Sequence, residues 1–174
     1  RATIRQTRRL TSTPWKVHPM PLIPDAEPFY ADGGDTAVLL SHGFTGSPRS
    51  MKGWAHALVD AGYTVSLPRL PGHGTSWQEM NKTRWQDWYG EMEREYLDLQ
   101  RRCSNVFVMG LSMGGSLSLR LAECHDDLAG VVVVNAAVHT ERPDRFLLPY
   151  LRHVVPAFPG ITNDIKKPGV DEGG

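Results

Sequence analysis

The chain has 174 residues, 40% of them apolar and 22% charged, which suits one globular domain with a sizeable core. Nineteen Lys and Arg balance nineteen Asp and Glu, so the global charge bias of a nucleic-acid or anionic-membrane binder is excluded. Cys103 and Cys124 are too few for a disulfide framework, no His/Cys set has metal-ligand spacing, and no apolar run reaches the ~20 residues of a membrane span. No apolar signal-like segment opens the sequence, and the expected setting is cytoplasmic, with two free thiols.

Residues 1–19, "RATIRQTRRLTSTPWKVHP", contain basic side chains and no acid, and they lack periodicity. Three readings stay open: a disordered arm, a transit peptide, or translated sequence ahead of a start at Met20. Residues 20–140 then read as the first part of an α/β core. "TAVLLSHGF" (36–44) predicts a buried strand running into a glycine loop. "MKGWAHALVDAGY" predicts a helix with Met51, Trp54, Leu58 and Val59 on one face. A second strand, "YTVSLPRL" (63–70), leads to a loop broken by Pro71, Gly72 and Gly74.

Trp85, Trp88, Tyr89, Met92, Tyr96 and Leu99 recur at helical spacing after a candidate N-cap, Thr83. This stripe reads as a helix face packed on a sheet. "NVFVMGL" (105–111), a helix over "GSLSLRLAEC" and "LAGVVVVNAAV" (128–138) complete the alternation. Strands apolar throughout and alternating with helices indicate a mostly parallel sheet covered on both faces. Residues 141–174 change character, with Pro143, Pro149, Pro156, Pro159 and Pro168 among apolar side chains. They read as the start of an incomplete lid or cap.

Gly110-Leu111-Ser112-Met113-Gly114 matches G-x-S-x-G. With seventeen glycines in the chain a chance match has a probability of roughly one in ten, so the pentapeptide alone is weak. Its setting adds the weight: a strand runs into it and a helix leaves it, as a nucleophile on a strand-to-helix turn requires. Upstream, "SHGFTGSP" (41–48) ends the first strand and offers the second part of an oxyanion hole.

Together "LLSHGFTGSPRSM", "YTVSLPRLPGHGTS" and "VFVMGLSMGGSLSL" resemble the α/β-hydrolase fold, and within it the bacterial monoacylglycerol lipases and small carboxylesterases. The resemblance runs from about Pro21 to His139. It implies Ser112 as nucleophile, the backbone N–H groups of Phe44 and Met113 as oxyanion hole, and loop-shaping roles for His42 and His73. It implies a small-molecule ester substrate with an apolar acyl chain, and neither cofactor nor metal.

A serine hydroxyl needs an imidazole to take its proton and a carboxylate to orient that imidazole. In the family both follow later strands, so the resemblance implies that they lie beyond residue 174 and that the sheet is truncated before its last strands. Within the chain, His139 is the substitute base to weigh, with His153 behind it. Asp126, Asp127, Asp144, Asp164 and Asp171 lack a family-like context. Two other readings stay open: thioester or C–C bond hydrolysis on the same fold, and a non-catalytic binding protein.

Overall fold

The computed structural model describes residues 22–138. The arm at 1–19, the cap-like segment at 141–174, His139, His153, Asp144, Asp164 and Asp171 lie outside the described residues. Five strands form one sheet: β1 (Phe29–Ala31), β2 (Thr36–Ser41), β3 (Thr64–Leu67), β4 (Asn105–Leu111) and β5 (Gly130–Val134). Their order across the sheet is β1-β3-β2-β4-β5. β2 runs parallel to β3 and β4, and β4 parallel to β5. The exception, β1, pairs antiparallel with β3, Phe29 facing Leu67. This strand has no counterpart in the sequence reading, since three residues are too few to show a period.

Four helices connect the strands: α1 (Lys52–Asp60), α2 (Trp77–Met80), α3 (Trp85–Gln100) and α4 (Met113–Cys124). The two-residue period of β2 sorts the core. Ala37 and Leu39 point to one face and pack with Trp88, Met92, Tyr96 and Leu99 of α3 and Leu117 and Leu121 of α4. Val38 and Leu40 point to the other and pack with Met51, Ala55, Val65 and Leu67. Leu39 and Leu40 are completely buried, so β2 is the sandwiched centre of the sheet.

β5 differs from its expectation. Its valines predict burial on both faces, yet Val132 and Val133 are 45% and 42% exposed. The strand order explains this: β5 ends the described sheet and has a described neighbour only in β4. On the helix faces, Trp54 is 37% exposed, and Ala55 rather than Trp54 is the fully buried side chain of α1. A 3-10 turn, Pro48–Met51, precedes α1 and holds Met51, which is buried.

The other end of α1 follows from Gly62. Its φ of +91° lets Gly62 N–H reach Val59 O (2.9 Å) and Tyr63 N–H reach Leu58 O (3.1 Å), closing the last carbonyls of the helix. Along α3 the stripe buries Trp88, Met92, Tyr96 and Leu99, whereas Trp85 stays half exposed. The N-cap is Arg84, whose N–H donates to Asp87 Oδ2 at 2.8 Å. Thr83 Oγ1 instead donates to Met80 O at 2.8 Å. Cys103 and Cys124 are free thiols. No helix among the described residues is long and apolar enough to cross a membrane.

Candidate active site

β4 ends at Leu111 and α4 begins at Met113, leaving Ser112 alone to reverse the chain. Its φ and ψ are 55° and −119°. A side-chain-bearing residue in so sparsely populated a region costs about 1–3 kcal/mol, and the surroundings must impose it. Three glycines do so here. A Cβ on Gly110 would fall on the Gly114 carbonyl, and one on Gly114 would fall on Ser41 O. One on Gly115 would lie 2.8 Å from Ala136 Cβ. The Ser112 N–H donates to Val134 O (2.8 Å), and Ser112 O accepts from Gly115 N–H (2.9 Å). The backbone is therefore held on both sides while the Ser112 side chain stays exposed.

The loop after β2 runs directly against this turn. A Cβ on Gly43 would lie 3.4 Å from Ser112 Cβ and 3.9 Å from its Oγ. His42, fully buried, lies 3.0 Å from Gly43 O through Nδ1 and accepts from Leu70 N–H (3.2 Å) through Nε2. A carbonyl only accepts, so Nδ1 carries the proton and the ring is neutral. Burial is the main reason that the His42 pKa falls to about 4. Gly46 N–H also donates to Gly43 O, at 3.1 Å.

This pair of bonds has a geometric consequence. Gly43 C=O and Phe44 N–H belong to one planar trans peptide, so fixing the carbonyl aims the N–H the opposite way. Met113 opens α4, and the first N–H groups of a helix have no acceptor within it. The loop after β2 and the start of α4 thus meet beside the exposed Ser112 hydroxyl.

Below the loop lies an aromatic stack. His73 meets His42 and Trp88 with ring centroids 5.1 Å apart in each case, and Phe44 meets Trp88 at 5.8 Å, all edge to face. Trp88 Nε1 donates to Pro71 O (3.1 Å) and Thr83 Oγ1 (3.0 Å). Trp88 is therefore both core and a support of the loop, a role that helical spacing alone does not reveal. His73 is 2% exposed, and Nδ1 lies 3.1 Å from Pro71 O, so it is the protonated nitrogen. Nε2 has no hydrogen-bond partner among the described residues. The Phe44 and Leu70 carbonyls favour the charged ring from nearby but do not meet hydrogen-bond geometry with Nε2. Burial outweighs them and lowers the pKa.

Neither His42 nor His73 is hydrogen-bonded to Ser112 Oγ; both are committed to loop carbonyls. Asp126 and Asp127 follow α4 and lie at its opposite end from Ser112, roughly 18 Å away for a twelve-residue helix. Asp127 accepts instead from Tyr96 OH (2.7 Å) and from Gln100. Among the described residues no group of three His, Cys, Asp or Glu side chains has the arrangement of a metal site.

Against known proteins, residues 38–171 match the family model described as the alpha/beta hydrolase family. A thermostable monoacylglycerol lipase of Bacillus sp. (strain H-257) is 54% identical over 118 residues, 68% of this chain and 47% of the lipase. A carboxylesterase of Bacillus subtilis (strain 168) is 35% identical over 114 residues, 65% of this chain and 46% of the esterase. Among solved structures, one of the metagenome-derived lipolytic enzymes LipS and LipT superposes with a TM-score of 0.79 at 42% identity. It covers 86% of this chain and 62% of that one. The chain belongs to the alpha/beta hydrolase family, and it spans about half the length of the curated relatives it matches.

Proposed function

We propose that the full-length protein is a serine ester hydrolase, acting on carboxylic esters with an apolar acyl chain such as monoacylglycerols. The observation that carries this reading is Ser112, exposed on a strained strand-to-helix turn against the Gly43–Phe44 peptide that His42 holds. In this mechanism Ser112 Oγ attacks the ester carbonyl carbon and its proton passes to an imidazole. The carbonyl oxygen takes up negative charge and is met by the N–H groups of Phe44 and Met113. Collapse expels the alcohol, which takes the proton, and leaves an acyl group on Ser112. Water then repeats the sequence and releases the acid.

The preset donors supply much of the rate, since removing one such N–H costs about 3 kcal/mol of transition-state stabilisation. His42 suits the task of a positioning residue because it stays neutral near pH 7 and its ring nitrogens are already engaged. The activating imidazole and its carboxylate are assigned to chain outside the described residues. The similarity to a monoacylglycerol lipase and a carboxylesterase supports an ester rather than a thioester or a C–C bond as the substrate.

A fluorophosphonate probe tests the reading on the full-length protein. Labelling at Ser112, absent in Ser112→Ala, is the expected result, with ester turnover falling by about four to six orders of magnitude in that variant. A folded full-length protein that neither labels nor turns over p-nitrophenyl esters or monoacylglycerols would overturn it.

A further inference from the structure

A groove of about 180 Å³ opens beside the Phe44 loop, between that loop, the 72–76 segment and α2. Its walls include Ile23, Phe44, Trp77 and Met80, and Thr45 and His73 are among its other lining residues. Ile23, Phe44 and Trp77 are 46%, 47% and 49% exposed, so three large apolar side chains leave nearly half their surface open around one depression. Scattered exposed apolar residues are ordinary; several gathered around one concavity mark a binding site.

The groove is built rather than incidental. A Cβ on Gly72, whose φ is +78°, would come within 2.8 Å of Met80 Cα and of Thr83 Oγ1, so glycine is what lets α2 close onto the loop. Thr83 Oγ1 caps the Met80 carbonyl (2.8 Å), and the Ser76 hydroxyl caps the start of α2 by accepting from Glu79 N–H (3.3 Å). Thr75 Oγ1 donates to Gly72 O at 2.7 Å. The Thr75 and Ser76 hydroxyls of the lining are thus engaged with the backbone, and no Asp, Glu, Lys or Arg lines the groove. What remains suits an uncharged, apolar occupant.

Phe44 connects this groove to the reaction. Its N–H belongs to the peptide that the His42 bond fixes, while its ring is a wall of the groove. We infer that the groove receives a short apolar arm of the ester, on the acyl or the alkoxy side, with Trp77 and Ile23 setting its preferred length. The inference rests on the ester-hydrolase reading of Ser112. At about 180 Å³ and open to solvent on one side, the groove suits a short arm rather than a long chain.

The test uses the full-length protein and two series of esters. One varies the acyl group of p-nitrophenyl esters from acetate to hexanoate to decanoate; the other varies the alcohol of acetate esters from ethyl to hexyl to decyl. Trp77→Ala and Ile23→Trp change the groove, and Trp85→Ala removes an equally exposed tryptophan outside it. The expected result is a loss of about tenfold in the six-carbon to two-carbon ratio of kcat/KM, in one series, for both groove variants. Trp85→Ala keeps the parent ratio. Unchanged ratios in both series, with active and folded variants, overturn the inference and leave the ester-hydrolase reading intact.

Binding without turnover separates the two ideas further. In Ser112→Ala, hexyl acetate or ethyl hexanoate is expected to change tryptophan fluorescence at concentrations where ethyl acetate does not. Adding Trp77→Phe should abolish that change. An equal response with and without Trp77, or none, counts against the groove whatever the fate of the catalytic reading.

Discussion

β2 and β5 flank β4, the strand that delivers Ser112, and they treat it in opposite ways. β2 is buried on both faces, and its last residues run into the loop that His42 ties to Gly43 O and Leu70 N–H. β5 carries valines that are nearly half exposed, yet its Val134 carbonyl receives the Ser112 N–H. One neighbour gives the site rigidity by packing; the other contributes a backbone acceptor with little packing behind it. Among the described residues, position in the sheet rather than apolar content sets how deeply each of the two strands is packed.

The largest expected effect breaks the comparison at its hinge. Gly114→Val drives a side chain into the carbonyls of Ser41 and His42, forcing β2 and α4 apart. It is expected to cost more than about 3 kcal/mol in urea unfolding of the full-length protein, with loss of fluorophosphonate labelling. Stability within 1 kcal/mol of the parent would show that the turn has slack. Next comes a matched pair. Leu39→Ala, in the centre of β2, should cost about 2–5 kcal/mol. Val133→Thr, at a β5 side chain that is 42% exposed among the described residues, should cost clearly less than Leu39→Ala. Equal losses at the two sites would erase the contrast.

The effect of pH sharpens it further. His42 is neutral in the folded protein down to about pH 4, whereas the unfolded chain takes up that proton near pH 6.5. The unfolded state therefore binds more protons across this window, and stability falls as pH drops from 6.5 toward 4, by about 3 kcal/mol. Burial of His73 works in the same direction. His42→Leu should flatten this slope in thermal melts between pH 7 and 4. The same variant also carries a kinetic effect: at pH 7 it should lower kcat about 10²-fold with KM nearly unchanged, because the Gly43–Phe44 peptide loses its clamp. Parent-like kcat would separate His42 from the oxyanion function.

The four parallel strands and the Ser112 turn were legible because each has a local signature. Apolar runs flanked by helical periods mark the strands, and glycines at 110, 114 and 115 leave room for neighbouring backbone. β1 escaped because its antiparallel pairing with β3 depends on a partner more than thirty residues away. α2 escaped because one helical turn has no period to detect. Trp54 and Trp85 show the converse error: spacing places them on an inward face, but the face is narrower than the stripe. At the site, the strand-to-helix turn at Ser112 and the glycine loop that runs against it could be read from two short motifs. The resemblance implies a loop-shaping role for His42, but not its particular bonds to Gly43 O and Leu70 N–H, which depend on segments that only the fold brings together.

The bond from Ser112 N–H to Val134 O also sets an order of events. Twenty-two residues separate donor and acceptor, and Ser116 Oγ reaches further, to Ala137 O at 2.9 Å. During synthesis the chain around Ser112 leaves the ribosome well before these acceptors do. Its strained turn has no full set of restraints until β5 has docked, so this turn is among the last of the described parts to be completed.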